Sequence, residues 1–429
     1  MIERLRQLWK VRDLRNTLLF VFAMLVIFRI LAHIPIPGIN PTGLKSVLEG
    51  NPLLGLLNLF SGGGLQNFSV VMLGVGPYIT ASIIMQLLTM VIPRLEAIQK
   101  DGEQGQNRIN QYTRYLTVPL TILQAYSTMI FLKKQGAANV LGSMTMFQTV
   151  TAIAAVVGGT MLLMWIGELI NEKKVGNGIS LIIFAGIVSR VPQSIQQTLA
   201  VVDSTQIFTM VTFILIGIIT IAGVVFVTEG QRNIPVTYAK RVMGNQTVGG
   251  AGVNTHLPLR VNQAGVIPII FAVSIILFPP LIAQFFTTSA VPWVAHFAVW
   301  VRDFFQNQSY YGIMYFVLVV AFTYFYTAVV FQPHQIAENL QKQGGFIPGI
   351  RPGEPTSKYL GFVSNRIILG GALFLGVIAV LPTIMQSTTG VKNLAIGGTS
   401  LLIVVSVVLE SVKQVQAQLV MRDYEAFYK

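Results

Sequence analysis

Residues 178–191 read Gly178-Ile179-Ser180-Leu181-Ile182-Ile183-Phe184-Ala185-Gly186-Ile187-Val188-Ser189-Arg190-Val191, and the reading of this stretch settles the architecture of the whole chain. From Ile179 to Val191 it is apolar, short for a membrane span, and interrupted near its end by Ser189-Arg190. A helix that crosses a bilayer needs about 20 mostly apolar residues. If this one crosses, it must lean on neighbouring helices or line something polar. If it does not, every later loop changes side.

Nine further runs have the composition of spans. Thr17–Ile34, Val70–Ile92, Tyr115–Leu132 and Val150–Leu169 precede the deciding stretch. Ile207–Val227, Ala264–Phe286, Tyr311–Phe331, Ile367–Met385 and Ile396–Val412 follow it. Loop charge arbitrates, because Lys and Arg accumulate in short loops on the cytoplasmic side. With Ile179–Val191 as a fifth span, 22 of the 29 Lys and Arg fall on the side of the N-terminus, 6 on the other, and Arg29 within span one. Without it the asymmetry is lost. The charge pattern predicts ten spans with both ends in the cytoplasm.

Composition agrees. Of 429 residues, 53% are hydrophobic and only 10% charged, and the mean hydropathy is +0.66. A soluble domain carries about 25% charged residues, so a water-soluble fold of this length would expose large apolar patches. The net charge of +13 would suggest nucleic acid on a soluble protein. Here the basic residues sit between apolar runs and report topology instead. The basic N-terminus does not read as a signal peptide. Thr17–Ile34 is as long as a span, and Pro35-Ile36-Pro37-Gly38 follows without a small-x-small cleavage site. There is no Cys, and His33, His256, His296 and His334 are scattered, so neither a disulfide nor a metal site is expected. No P-loop, Ser/His/Asp set or intramembrane aspartate pair stands out. No catalytic residue and no cofactor are expected.

Three segments outside the spans are long. Glu229–Gln263 and Gln332–Asn365 are basic and cytoplasmic in this topology, and loops of that length usually have a function. The segment between spans one and two contains Leu53-Leu54-Gly55-Leu56-Leu57-Asn58-Leu59-Phe60-Ser61-Gly62-Gly63-Gly64, too few apolar residues to cross and too many for a loop in water. Irregular backbone at membrane depth survives only inside protein or along a cavity, so a short re-entrant piece is expected there. The clearest ionisable residues in spans are Arg29, Glu168 and Glu410, all near span ends where a long side chain can snorkel or pair. No span carries the buried Asp/Glu/His relay of a proton-coupled carrier, which weakens the alternative of a small-solute secondary transporter. Thr80, Ser82, Gln86, Thr89, Asn177, Ser180, Ser274, Thr399 and Ser400 fit either helix–helix hydrogen bonding or a wet interface between helices.

Several longer motifs stand in one order along the chain. Phe28-Arg29-Ile30 with Ile34-Pro35-Ile36-Pro37-Gly38 closes span one, and Asn58-Leu59-Phe60-Ser61-Gly62-Gly63 precedes Pro77-Tyr78-Ile79-Thr80-Ala81-Ser82-Ile83-Ile84-Met85-Gln86-Leu87-Leu88. Thr255-His256-Leu257-Pro258-Leu259-Arg260-Val261-Asn262 leads into span seven, Phe346-Ile347-Pro348-Gly349-Ile350-Arg351-Pro352-Gly353 fills the last long loop, and Gly397-Gly398-Thr399-Ser400-Leu401-Leu402-Ile403-Val404 opens span ten. Over essentially its whole length the chain resembles the SecY family of bacterial protein-conducting channel subunits, and within it a Gram-positive, bacillus-type member.

The resemblance implies an all-α polytopic membrane protein of ten transmembrane helices, in two inverted-repeat halves around a central pore. The halves would be 1–200, with spans one to five and a re-entrant plug at about 54–66, and 201–429, with spans six to ten and cytoplasmic loops 229–263 and 332–365. It implies a pore ring at Val75, Ile79, Ile179, Ile183, Ile270 and Ile403, where Val75 is smaller than the isoleucine common there. The plug would include Leu56, Leu57, Leu59, Phe60, Ser61, Gly62 and Gly63. Gln86 and Asn262 would be polar residues of a lateral gate between spans two and three and spans seven and eight, with hydrogen bonds that hold it shut. Arg351 foremost, then Arg232, Lys240 and Arg241, would dock the motor ATPase SecA or the ribosome, although the tip 244–252 lacks the paired basic residues of some relatives. Also implied are SecE and SecG subunits, signal-sequence-bearing clients, contact with membrane lipid and a bacterial plasma-membrane location. The channel would be passive, powered by SecA, the ribosome or the proton-motive force, and would meet nucleic acid only through the ribosome.

Overall fold

The computed structural model describes residues 11–36, 58, 61–134, 145–193, 196, 207–238, 242–243, 246–247, 254–287, 291–389 and 398–427. All ten apolar runs fall on helices: α1 (Arg12–Leu31), α2 (Gly76–Val91), α4 (Glu103–Lys134), α5 (Met146–Glu172), α6 (Gly178–Val188), α7 (Ile207–Glu229), α8 (Ile267–Phe286), α10 (Gln308–Val330), α12 (Glu354–Thr389) and α13 (Gly398–Phe427). Between them stand α3 (Pro93–Lys100), α9 (Pro292–Gln306) and α11 (Pro333–Lys342). Among the described residues, seven helices (α1, α4, α5, α8, α10, α12 and α13) are long and apolar enough to cross a membrane. An eighth span results if α2 and α3, bent by 102° where Pro93 interrupts them, count as one. The regions of α6 and α7 contribute shorter apolar helices, Gly178–Gln193 and Ile214–Glu229.

The deciding stretch survives as a short helix because it is packed on most of its circumference. Ser180, Leu181, Ile182, Ile183, Gly186 and Ile187 of α6 are all buried. Its start is fixed twice: the Ser180 N–H donates to Asn177 Oδ1 (3.2 Å) and the Gly178 N–H donates to Asn171 Oδ1 (2.7 Å). A Cβ on Gly178 would lie 2.0 Å from the Gly167 carbonyl oxygen, so only glycine lets α6 approach α5 this closely.

One principal core joins nine of the ten runs, while Ala125, Met129, Phe131 and Leu132 of α4 belong to a second core with Leu65, Phe68, Ala152 and Val156. The principal core contains Phe28 of α1, Ile83 of α2, Leu163 of α5, Ile183 of α6, Ile269 and Phe271 of α8, Tyr315 of α10, Leu375 of α12 and Leu402 of α13. In α8, 61% of the most apolar window is buried, against 17% in α1, so α8 runs through the bundle while α1 lies at its rim. The outward faces stay apolar: Phe22, Ile218, Ile219 and Val377 are each more than half exposed. Such a surface suits lipid rather than water.

Two regions differ from the sequence expectation. Span two does not begin as helix at Val70, because residues 61–75 run in turns. Gly74 has φ +57°, and Pro77 occupies the first turn of α2, where a missing N–H costs nothing. The all-α description holds for the spans, while the two basic loops contribute strands. β1 (Gln231–Tyr238) pairs antiparallel with β4 (Asn254–Arg260) on one side and with β5 (Gly345–Phe346) on the other. β2 (Val242–Met243) and β3 (Gln246–Thr247) form a small separate pair. Ile234, Val236, Leu259, Leu340, Ile347, Leu360 and Val363 close a core beneath the larger sheet, so the two loops fold as one platform on α11 and α12.

Candidate functional site

The six expected ring positions are carried by four helices. Val75 caps α2, and Ile79 lies on its first turn. Ile179 and Ile183 lie one turn apart on α6, Ile270 on the first turn of α8, and Ile403 near the start of α13. Val75, Ile79, Ile183, Ile270 and Ile403 are at most 4% exposed and share the principal core, with Ile179 half-buried against it. Branched apolar side chains facing one another exclude water and present ions with a desolvation barrier. They are joined only by van der Waals contacts, which are individually about 0.1–0.2 kcal/mol and non-directional.

The plug positions fall partly within the described residues. Leu56, Leu57, Leu59 and Phe60 lie outside them. Asn58 organises the remainder: its Oδ1 accepts from the Gln66 N–H (3.0 Å), and its carbonyl accepts from the Gly63 N–H (2.9 Å) and from Ser61 Oγ (3.1 Å). Ser61 Oγ in turn accepts from the Leu65 N–H (3.1 Å). The segment thus satisfies much of its irregular backbone internally, which membrane depth requires. Gly62 (φ +64°) sits against α1 and α6. A Cβ there would lie 2.7 Å from the Phe28 ring and 2.9 Å from Gly186 Cα. Gly186 follows Ile183 by three residues, so this contact stands about 4.5 Å along α6 from the ring.

Two arginines hold this segment. Arg29 Nη1 donates to the Gly62 carbonyl (2.7 Å), and Arg190 Nη2 donates to Gln66 Oε1 (2.8 Å). The intramembrane charge of span one is therefore a fastener of the re-entrant piece. Arg190 was read only as the interruption of span five. Its role depends on a partner 124 positions away, and no local pattern announces it. Glu168 pairs with Arg114 across α5 and α4 (2.7 Å). Glu410 accepts from Gln414 Nε2 (3.4 Å) on its own helix.

At the seam, α8 packs against both α2 and α4, and Tyr126 of α4 stacks on Phe285 of α8 with centroids 5.7 Å apart. The expected polar pair is not bonded to itself. Asn262 Nδ2 donates to the Gly265 carbonyl (3.1 Å), within the turn that leads into α8, while Asn262 Oδ1, Gln86 Oε1 and both ends of the Gln263 amide are buried with no partner among the described residues. The seam therefore carries buried unsatisfied polar atoms, each a cost of about 1–3 kcal/mol.

On the platform, Arg351 is exposed in the turn between β5 and α12, and Arg232 is exposed on β1. Lys240 and Arg241 lie outside the described residues. Lys342 and Lys358 are engaged with Glu338 and Glu354 (each 2.8 Å). The Lys358 hydrogen bond holds the Glu354 carboxyl below its ordinary pKa and raises that of Lys358. Among the described residues, neither Arg351 nor Arg232 has a carboxylate partner. No group of His, Asp or Glu that could hold a metal occurs among the described residues.

The model of the SecY family matches residues 69–412. A protein translocase subunit SecY of Streptomyces coelicolor is 44% identical over 100% of both chains, and one of Mycobacterium tuberculosis 45% identical over 97% of each. Relatives at this level are actinobacterial, which corrects the bacillus-type leaning: chain length and lack of Cys do not report lineage. Among solved structures, one described by its SecY plug domain has a TM-score of 0.64 at 19% identity, covering 93% of this chain and 91% of the other. Canine Sec61 in a ribosome–channel complex has a TM-score of 0.59 at 17% identity, with the same coverage. These two likenesses establish the fold.

Proposed function

The chain belongs to the SecY family, and from that premise we propose that its ring, plug, seam and platform work together as a gated path for unfolded polypeptides. It is a protein-conducting channel subunit of a translocase, not a catalyst. The observation that supports this reading is that Val75, Ile79, Ile183, Ile270 and Ile403, from four helices, are all buried in the principal core, with Ile179 packed against it. Contacts without directional bonds can part around a chain of any sequence and close again behind it. A wall that demanded specific hydrogen bonds would instead select among clients.

In this reading ten spans form two inverted-repeat halves, 1–200 and 201–429, that clasp the pore, with both termini cytoplasmic in a bacterial plasma membrane. The plug at about 54–66 closes the outer funnel at rest. The seam where α2 and α4 meet α8 and α10 opens sideways, and Gln86 and Asn262 face it. Their unpartnered oxygens make the closed seam less stable than an apolar one. An apolar signal sequence could then displace the contact and pass into lipid. Arg351 and Arg232, without a carboxylate partner among the described residues, suit an acidic partner, SecA or a ribosomal surface, and Lys240 and Arg241 of the same basic loop as Arg232 would add to that charge. SecE and SecG would complete the membrane complex. Energy would come from SecA, the ribosome or the proton-motive force. A small-solute carrier is not favoured, since the relatives are translocase subunits and the ring holds no ionisable group.

The test is a photocrosslinker at position 79 or 403 with a stalled secretory chain in transit. Adducts at both positions are expected, and their absence at both would remove the ring from the path. Arg351→Glu should sharply reduce SecA-driven export while leaving the protein folded, because it reverses charge at the docking surface. Normal export by that variant would remove Arg351 from the interface.

A further inference from the structure

Helix α9 lies between α8 and α10, and 15 residues at 1.5 Å each give it about 22 Å, too short for a hydrocarbon core of about 30 Å. It joins α8 to α10 and packs against both. Its sequence, Pro292-Trp293-Val294-Ala295-His296-Phe297-Ala298-Val299-Trp300-Val301-Arg302-Asp303-Phe304-Phe305-Gln306, has two apolar sides. At 3.6 residues per turn, Val294, Ala298, Val301 and Phe305 form one of them. Ala298 is 3% exposed, and Phe305 packs on the principal core. That side is spent on α8 and α10.

Trp293, Phe297, Trp300 and Phe304 form the other, within about 60° of arc and about 100° round from the first. Trp293 is 73% exposed, Phe297 61% and Trp300 60%. The rings hold one another in place. Phe297 and Trp300 have centroids 6.0 Å apart, Trp300 and Phe304 5.6 Å, and Phe304 and Tyr310 5.1 Å with their planes 4° from parallel. Tyr310 hands the stripe on to Ile313 and Val317, exposed on α10, so it is continuous with the lipid-facing side of a span. On its other flank stand His296 and Asp303, both exposed. An apolar aromatic ribbon with a polar edge, joined to a lipid-facing helix, has the chemistry of the headgroup boundary, where Trp and Tyr concentrate.

We propose that α9 is an interfacial helix whose Trp293–Phe297–Trp300–Phe304 stripe binds the lipid bilayer at the boundary between headgroups and acyl chains. The proposal rests on α8 and α10 being membrane spans. Since α9 is attached to the end of α8 that carries Phe285, it would moor one side of the seam to the lipid surface.

The test uses the four tryptophans, Trp9, Trp165, Trp293 and Trp300, in the full-length chain reconstituted in phosphatidylethanolamine–phosphatidylglycerol vesicles. One variant keeps only Trp300 and another only Trp165, the others being replaced by Phe. Nitroxide is placed on the lipid headgroup or at acyl carbon 12. A depth of about 5–10 Å predicts loss of roughly half the Trp300 emission to the headgroup nitroxide and little loss to the deep one. Trp165, 59% exposed within α5, should be quenched by at least one probe and so marks contact with lipid. Trp300 unquenched by either probe while Trp165 is quenched would place the stripe in water or beneath another protein, and would overturn the proposal. Quenching of Trp300 chiefly by the nitroxide at acyl carbon 12 would also overturn it. If Trp165 itself escaped both probes, the membrane reading of these helices would fall first.

Discussion

Ile183 and Gly186 lie one turn apart on α6, yet what they touch is held by opposite kinds of force. Ile183, in the proposed ring, is buried among the hydrocarbon of the principal core, with many weak contacts and no partner that must be matched. At Gly186 the plug segment sits in a directed network, with Arg29 bonded to Gly62, Arg190 to Gln66, and Asn58 gathering the turn. A ring of the first kind widens gradually and reseals without instruction. A plug of the second kind stays until several bonds break, and then leaves as a unit. The difference separates two tasks of a protein-conducting pore: sealing around a passing chain, and remaining shut when none is present.

The largest effect should follow from cutting the directed network. Hydrogen bonds to charged groups contribute about 1.5–3 kcal/mol each, and every 1.4 kcal/mol is tenfold in an equilibrium. Arg29→Ala or Arg190→Ala alone should raise the open population of the resting channel roughly 10- to 100-fold. The double variant should exceed either in planar-bilayer conductance. A double variant that leaks no more than the single ones would show that only one arginine fastens the plug, and the contrast with the ring would lose half its basis.

A smaller effect is expected from the wall side of the same contact. Gly62→Val forces a side chain into left-handed backbone, costing about 1–2 kcal/mol, and drives it against Phe28 and the Gly186 backbone. Resting conductance should rise about tenfold. Ile403→Gly should also raise the leak, but differently: it thins the ring without unseating the plug, so its currents should be small and steady rather than flickering. Identical current records from the two variants would mean that ring and plug act as one barrier.

Much of this was legible in the sequence because its signals are local or one-dimensional. Hydropathy located a helix at each of the ten apolar runs, of which seven or eight among the described residues are long enough to cross a membrane, and α6 is helical although only 11 residues long. What escaped depends on contacts between distant positions. The turns of residues 61–75 arise from Asn58 and Ser61 bonding to backbone and from Gly74 at positive φ, and they extend into residues 70–75, which hydropathy assigns to a span. The shared sheet joins Thr237 to Phe346 through a strand of two residues, too short for any alternation to be visible. The resemblance implies hydrogen bonds of Gln86 and Asn262 that hold the seam shut, whereas the Asn262 amide donates within its own turn, to Gly265, a contact that hydropathy does not register.

The smallest effect should come from the seam, and it carries the comparison to a third region. Tyr126 and Phe285 stack across it at 5.7 Å, a contact that contributes about 0.5–1.5 kcal/mol beyond the area it buries. Tyr126→Leu keeps the apolar bulk and loses the stack, so the closed seam should weaken by roughly 2- to 12-fold. Export of a client with a weakened signal sequence should rise by a similar factor, while resting ion conductance stays unchanged, because neither ring nor plug is touched. If conductance rises with export instead, lateral opening and pore opening are a single motion. The stack on the seam, the arginines on the plug and the hydrocarbon of the ring would then all bear on one equilibrium.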